Sequence, residues 1–493
     1  MEFSIIEEKL SSYGSGGYFL LEAYLLQLLK AEANSYNQKI ESSTNDFFDA
    51  FAPNGLAGID GPILIEIKQK FSVQNFFRNT SKHFSYLQKT GSTLLFISLS
   101  KNTEKDSELV NKITPKETKI ILWGVDEIQK LMHKHASLAN ELSEKLFSNH
   151  FRAAIENNID DWKDKRQKLV STIISEYQTG RFSLLLGAGV SSSAGLPDWD
   201  TLLNSLFVSM LMEDSADEKS ADPDQTSSIV KRLRQMDGPS ALMLARYIRK
   251  GITADSATEQ GKFIATVTTK LYELRNKKYS INSELIKAIA NLCVPSRTGA
   301  NVRAILTYNF DDLLERELKE QGLTYRSIFE EIELPSPEEL PIYHAHGFLP
   351  EDRSQYSNID KATLVFSEEG YHHIYRDAYH WSNLVQLNSL KETSCLMIGL
   401  SLTDPNLRRL LEISAKTPEK PRHFAFMRRL SYETFHKDGD KTMVRAPANV
   451  IRKFLERHHN LNEAVMKELG VNIIWYENYD EIPKILKDIK KGI

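Results

Sequence analysis

Apolar and polar positions divide this chain into two stretches. From residue 182 onward, short apolar runs at 182–186, 302–306, 342–344, 395–398, 423–426 and 473–476 are separated by segments of helix length. Runs of that size and spacing predict strands of a mainly parallel, doubly wound α/β sheet with helices on both faces. In such sheets a ligand binds beyond the carboxyl ends of the strands, where the strand order reverses. Residues 228–300 read as a mostly helical module over that crevice. Nearer the amino terminus, apolar strands at 47–52 and 63–68 flank a loop rich in Pro and Gly. A helix at 19–29 and strands at 93–98 and 119–123 complete a second α/β core.

Three polar stretches punctuate this pattern. The one at 157–166, a solvated linker or exposed helix start, separates domains at 1–155 and 165–493. The stretch 214–227 reads as an acidic loop, and 429–447 as a surface excursion between core elements. The 493 residues are 41% hydrophobic and 26% charged, ordinary for a globular protein. A net charge of −4 exerts no general pull towards nucleic acid or anionic membrane, so DNA contact needs a local basic patch. No apolar run reaches the ~20 residues that span a bilayer, and the start lacks signal-peptide features. A cytoplasmic protein without membrane contact is expected. Cys293 and Cys395, both in apolar settings, read as buried thiols of a reducing compartment.

Candidate chemistry is densest at Leu184-Leu185-Leu186-Gly187-Ala188-Gly189-Val190-Ser191, followed by Gly195-Leu196-Pro197. A strand entering a glycine turn lets backbone N–H groups approach a pyrophosphate, with a helix N-terminus behind them. Ser191 is expected to begin that helix, its hydroxyl capping it or touching phosphate. Three more blocks sit at predicted strand ends: Thr307-Tyr308-Asn309-Phe310-Asp311, His344-Ala345-His346-Gly347 and Gly399-Leu400-Ser401-Leu402-Thr403-Asp404. Asn309 is suited to bond a ribose or orient a water, and Asp311 to support its loop. His346 can take a proton near neutral pH, with His344 as the alternative. Asp404-Pro405 also reads as the start of a helix over 406–411.

In that order the four blocks resemble the NAD-binding catalytic core of the sirtuin superfamily, over residues 165–493. The resemblance implies a Rossmann-type domain in which Asn309 and His346 are catalytic. NAD+ would then be held by Gly187, Ala188, Gly189, Ser191, Pro197, Asp198, Trp199, Asn309, Asp311, Gly399, Ser401 and Asp404. The chain departs from the family pattern at Asp200, where an Arg is usual. Two distant cysteines also cannot build the four-cysteine structural zinc of deacylating sirtuins. The chain is thus similar to the sirtuin-like NADases of bacterial antiphage defence, which hydrolyse NAD+ to nicotinamide and ADP-ribose. That resemblance implies a homo-oligomer and, in some cases, a HerA-like ATPase partner. An NAD-dependent ADP-ribosyltransferase or deacylase, and a nucleic-acid-sensing assembly module with vestigial sites, remain as alternatives.

In the amino-terminal core, a loop over 53–62 pairs Ala52 with Ile63 and sets Asp49 opposite Glu66. Glu66 and Lys68 share a strand face. This trio resembles the PD-(D/E)xK restriction-endonuclease core, particularly its Mrr-like members. The resemblance implies that Asp49 and Glu66 hold Mg²⁺ or Mn²⁺ while Lys68 stabilises charge on an attacked DNA phosphate. Asp60 is an alternative first carboxylate. Glu22 is either a further acid or part of an exposed polar face. Lys70, Arg78, Lys82 and Lys89 are either a phosphate-facing patch or solvated surface.

Overall fold

The computed structural model describes residues 2–11, 16–42, 48–68, 76–77, 84–99, 104–115, 118–144, 162–212, 232, 241–252, 257–297, 299–331, 334–359, 362, 364–377, 379–415 and 421–492. They divide into one unit of residues 1–158, 415–420 and 456–469, and another of 159–414, 421–455 and 470–493. The expected acidic loop at 214–227, the first five residues of the 157–166 stretch, and Lys70, Arg78 and Lys82 lie outside the described residues.

The first unit holds a sheet ordered β1 (Glu41–Ser42), β2 (Ala50–Ala52), β3 (Ile63–Lys68), β4 (Thr93–Ser98) and β5 (Ile120–Trp123). Its first two pairings are antiparallel and its last two parallel. Side chains alternate along β3 because strand residues point to opposite faces in turn. Ile63, Ile65 and Ile67 join a core with Leu25, Leu28 and Leu29 of the helix Gly16–Ser35 and Ile128 of Val125–Lys134. Leu64 packs instead with Phe76, Phe84 and Phe96. Ala52 lies opposite Ile63, the register the hairpin reading expects.

The second unit is built on β6 (Phe182–Leu186), β7 (Val302–Thr307), β8 (Tyr325–Ile328), β9 (Leu340–His344), β10 (Ser394–Ile398) and β11 (His423–Arg428). The small hairpin β12 (Lys437–Asp438) and β13 (Lys441–Thr442) lies apart from the sheet, and β14 (Val471–Tyr476) completes it. The sheet order is β14-β11-β10-β6-β7-β9-β8, and every neighbouring pair is parallel. The chain leaves β6 towards β7 on one side and returns later to place β10 on the other. That reversal puts the switch point beside β6, with all seven carboxyl ends on one edge. Strand β8 was not anticipated, because Tyr-Arg-Ser-Ile at a sheet edge carries no apolar run.

Helices Trp162–Gln178, Glu284–Cys293, Leu313–Glu320 and Glu481–Lys491 share one hydrophobic core with this sheet. The stretch expected as a helical module, 228–300, carries the helices Ala241–Ile252, Ala257–Glu273 and Glu284–Cys293 among its described residues. Helices Ala241–Ile252 and Ala257–Glu273 pack with Trp199–Met212, and their Leu244, Ile248 and Val267 join the same core in which Glu284–Cys293 buries Leu285, Ile286, Ile289 and Leu292. The second half of the 157–166 stretch is a helix start. There Arg166 donates to the Trp475 carbonyl at 3.1 Å and to Glu481 at 2.5 Å. The excursion at 429–447 carries the helix Tyr432–His436 and the hairpin β12–β13. Both cysteines are buried and free, and burial pushes their thiols up to about 12. Among the described residues, no helix is long and apolar enough to cross a membrane.

At the switch point backbone meets backbone. Gly187 N–H donates to the Ile398 carbonyl and Gly189 N–H to the Gly399 carbonyl, each at 3.0 Å. Gly399 has φ +70, and an added Cβ would lie 2.6 Å from the Val190 nitrogen. Gly322 has a similar φ of +73 but open space around it. Gly322→Ala should therefore cost only the left-handed strain, about 1–2 kcal/mol. Gly399→Ala should cost a further ~1–3 kcal/mol from the clash. Urea unfolding of the two variants checks this, and equal losses would contradict the close approach.

Candidate active site

The four sequence blocks follow β6, β7, β9 and β10, and backbone hydrogen bonds stitch them together. Tyr308 N–H donates to the Leu186 carbonyl at 2.9 Å, and Ala345 N–H to that of Thr307 at 3.0 Å. Leu349 N–H reaches the Phe310 carbonyl at 2.6 Å, and Val365 N–H that of His346 at 2.8 Å. A small cavity is lined by Val190, Ser191, Thr307, Asn309 and Asp311, so the glycine turn and the Asn309 loop face a common space.

The glycine turn differs from expectation in one respect. Its helix is Ala188–Ser192 with Gly187 at the N-cap, so Ser191 lies inside the helix rather than at its start. The buried Ser191 hydroxyl donates to Asp311 Oδ2 at 2.5 Å. Asp311 Oδ1 accepts from Leu313 N–H at 3.2 Å. Burial raises the Asp311 carboxyl to about 6, although the Ser191 and Leu313 hydrogen bonds oppose the shift. Asp311 is thus the brace between the first two loops. Ala188 is exposed and Gly189 half-buried.

Asn309 is half-buried, and its N–H donates to Thr307 Oγ1 at 3.0 Å. Its side-chain Oδ1 is buried without a hydrogen-bond partner among the described residues. His346 presents the same situation. The ring is buried, Nε2 has no hydrogen-bond partner among the described residues, and Asp404 Oδ2 stands 3.8 Å away. Tyr308 and Tyr371 meet the His346 ring edge-on, with centroids 4.5 and 5.7 Å away. Burial pulls the imidazole below the ordinary histidine value, partly opposed by the charge of Asp404. Its surroundings thus favour the neutral ring.

Asp404 serves the fold as well as the site. Its Oδ1 accepts from Leu407 N–H at 2.7 Å, starting the helix Pro405–Ala415, while Oδ2 accepts from the Tyr371 hydroxyl. Ser401 is exposed and bonds Thr403 at 2.6 Å. Pro197 is half-buried and Asp200 exposed, while exposed Asp198 caps the next helix through Thr201 N–H at 2.8 Å. Trp199 is half-buried and packs on Phe366 and Phe310, with centroids 4.8 and 6.0 Å away. Sequence reasoning missed Tyr371 and Gln386, the acceptor of the Tyr308 hydroxyl, because both lie on helices without a local motif.

In the other unit, the β2–β3 register ends at Ala50 opposite Ile65, and the Asp49 N–H donates to the Ile65 carbonyl at 2.9 Å. Asp49 Oδ2 accepts from Ile67 N–H at 2.6 Å, and Lys68 Nζ lies 2.5 Å from Glu66 Oε1. Glu66 and Lys68 are both buried. Asp60 is exposed in the loop before β3, at the end of that strand opposite Glu66. Glu22 is half-buried on its helix, and Lys89 is exposed near the end of Phe84–Thr90. Among the described residues, no group of three or more His, Cys, Asp or Glu gathers into a metal-binding cluster.

The chain is 23% identical over 331 residues to the NAD(+) hydrolase ThsA of Enterococcus faecium, covering 66% of this chain and 58% of that protein. Residues 303–444 match the family described as SIR2-like domain, a stretch that contains Asn309, His344, His346, Gly399, Ser401 and Asp404. The all-parallel sheet is consistent with the Rossmann-like fold of a SIR2-like domain.

Proposed function

We propose that this protein hydrolyses NAD+ to nicotinamide and ADP-ribose and serves as an antiphage defence effector. The observation that carries the reading is the pair of buried, unpartnered atoms, Asn309 Oδ1 and His346 Nε2, on loops tied to the glycine turn. Buried polar atoms are ordinarily satisfied, so a substrate's hydroxyls or a bound water suit both. The similarity to an NAD(+) hydrolase supports the same substrate. The glycine turn takes the pyrophosphate, and Asn309 meets the nicotinamide-side ribose or the attacking water. The ribosyl C1′–N bond breaks with its electron pair going to the nicotinamide ring. A water oxygen bonds to C1′ and gives its proton to His346, directly or through a ribose hydroxyl. The protein is cytoplasmic and homo-oligomeric in this reading, with a HerA-like ATPase as its partner.

A second reading concerns the other unit. The hydrogen bond that places Asp49 beside Ile67 and the Glu66–Lys68 ion pair support a nuclease site of PD-(D/E)xK type acting on DNA. Two carboxylates suit Mg²⁺ or Mn²⁺, which commonly retains waters as its remaining ligands; the ion would supply charge stabilisation at the scissile phosphate. Lys68 would add positive charge there.

Asn309→Ala and His346→Ala should each lower nicotinamide release by about 10²–10⁴-fold, with the fold intact by circular dichroism. Full activity in a folded double variant would contradict the assignment. The acid limb of kcat/KM should lie below the ordinary histidine value of ~6.5, because burial disfavours the charged ring. Asp404→Asn keeps a capping side chain while removing the charge that favours protonated His346. Its acid limb should therefore move to still lower pH; a move upward would contradict the role of Asp404. In the other unit, plasmid nicking with Mg²⁺ or Mn²⁺ should be lost in Glu66→Ala and Lys68→Ala while NAD+ turnover is unchanged. Absence of wild-type nicking with either ion, with and without the ATPase, would overturn the nuclease reading.

A further inference from the structure

We propose that His344 and Glu315 form a buried positioning pair that fixes the Asn309 peptide and leaves proton transfer to His346. The proposal rests on the NAD+ reading for its activity test, though not for its geometry.

His344 is the last residue of β9 and lies opposite Thr307 at the end of β7. Its side chain is 1% exposed and that of Glu315, on the helix Leu313–Glu320, is 2% exposed. The His344 Nδ1 is 3.2 Å from the Asn309 carbonyl oxygen. A carbonyl oxygen only accepts, so Nδ1 must carry the hydrogen. Nε2 lies 2.6 Å from Glu315 Oε1, which also accepts from the Ser327 hydroxyl at 3.2 Å. Both ring nitrogens are thereby engaged, and neither faces a substrate. His346, two residues on, has the unpartnered Nε2. The two histidines of the block divide the work.

Asn309 is held at both of its peptide groups. Its N–H is tied to Thr307 Oγ1 at 3.0 Å and its C=O to His344. Fixing both peptide planes sets the direction in which the Asn309 side chain leaves the backbone. A carboxylate behind the imidazole strengthens such a hydrogen bond. Burying the carboxylate alone would be costly, which makes the pair a unit.

Asparagine places an N–H donor near the position of imidazole Nδ1, whereas glutamine places one near Nε2. His344→Gln should therefore lose the bond to Asn309 and lower kcat about 10²-fold, as a displaced reacting group does, with KM for NAD+ little changed. His344→Asn should recover most of that loss. Histidine-selective nitrogen NMR of the full wild-type chain supplies a readout independent of turnover, and His344 Nδ1 should be protonated. Equal losses in both variants, paralleled by equal falls in melting temperature, would reduce the pair to a structural role and overturn the proposal. A bare Nδ1 would overturn it also. If the wild type releases no nicotinamide, the NAD+ reading fails by itself, and the protonation of Nδ1 still decides the geometry.

Discussion

Everything at the carboxyl edge of the larger sheet depends on the approach of two backbones beside β6. Gly187 and Gly189 lie against Gly399 so closely that a Cβ on any of the three would come within 2.7 Å of a neighbouring atom. Parallel strands bring their carboxyl ends to one edge but leave the following loops free to diverge. Here the two N–H···O bonds of 3.0 Å between the first and last of the four loops hold the crevice at one width. Ser191 and Asp311 then brace the second loop against the first, and Ala345 ties the third to the second.

On that frame the polar side chains fall into two groups. Asp311, Glu315, His344 and Asp404 are buried or half-buried, with short hydrogen bonds to neighbours that compensate their loss of water. Asn309 Oδ1 and His346 Nε2 are buried without such compensation among the described residues. Interior groups left unsatisfied amid satisfied ones are what a binding site for a polar substrate requires. Tyr308 and Tyr371 pack edge-on against the His346 ring, and burial there shifts the imidazole towards its neutral form against the opposing charge of Asp404.

Much of this architecture was legible in the sequence. Six of the seven strands carry apolar runs that mark them, and the glycine turn and the His346-Gly347 step mark strand ends by backbone and chemical character. What escaped was long-range. Tyr371 acquires its role from Asp404, 33 residues away, and Glu315 from His344, 29 residues away; neither leaves a local pattern. Ser191 was misplaced because the N-cap is a glycine, which has no side chain to announce a helix start. Trp199 was read for its motif, and its packing on Phe366 and Phe310 is likewise long-range and left no local signal.

The most direct test of the single-crevice account is a crystal structure of the His346→Ala variant grown with NAD+. The account places the pyrophosphate at Gly187–Gly189 and a hydroxyl of the nicotinamide-side ribose, or a water bonded to it, against Asn309 Oδ1. NAD+ bound away from these loops, or with its nicotinamide end remote from Asn309, would contradict it.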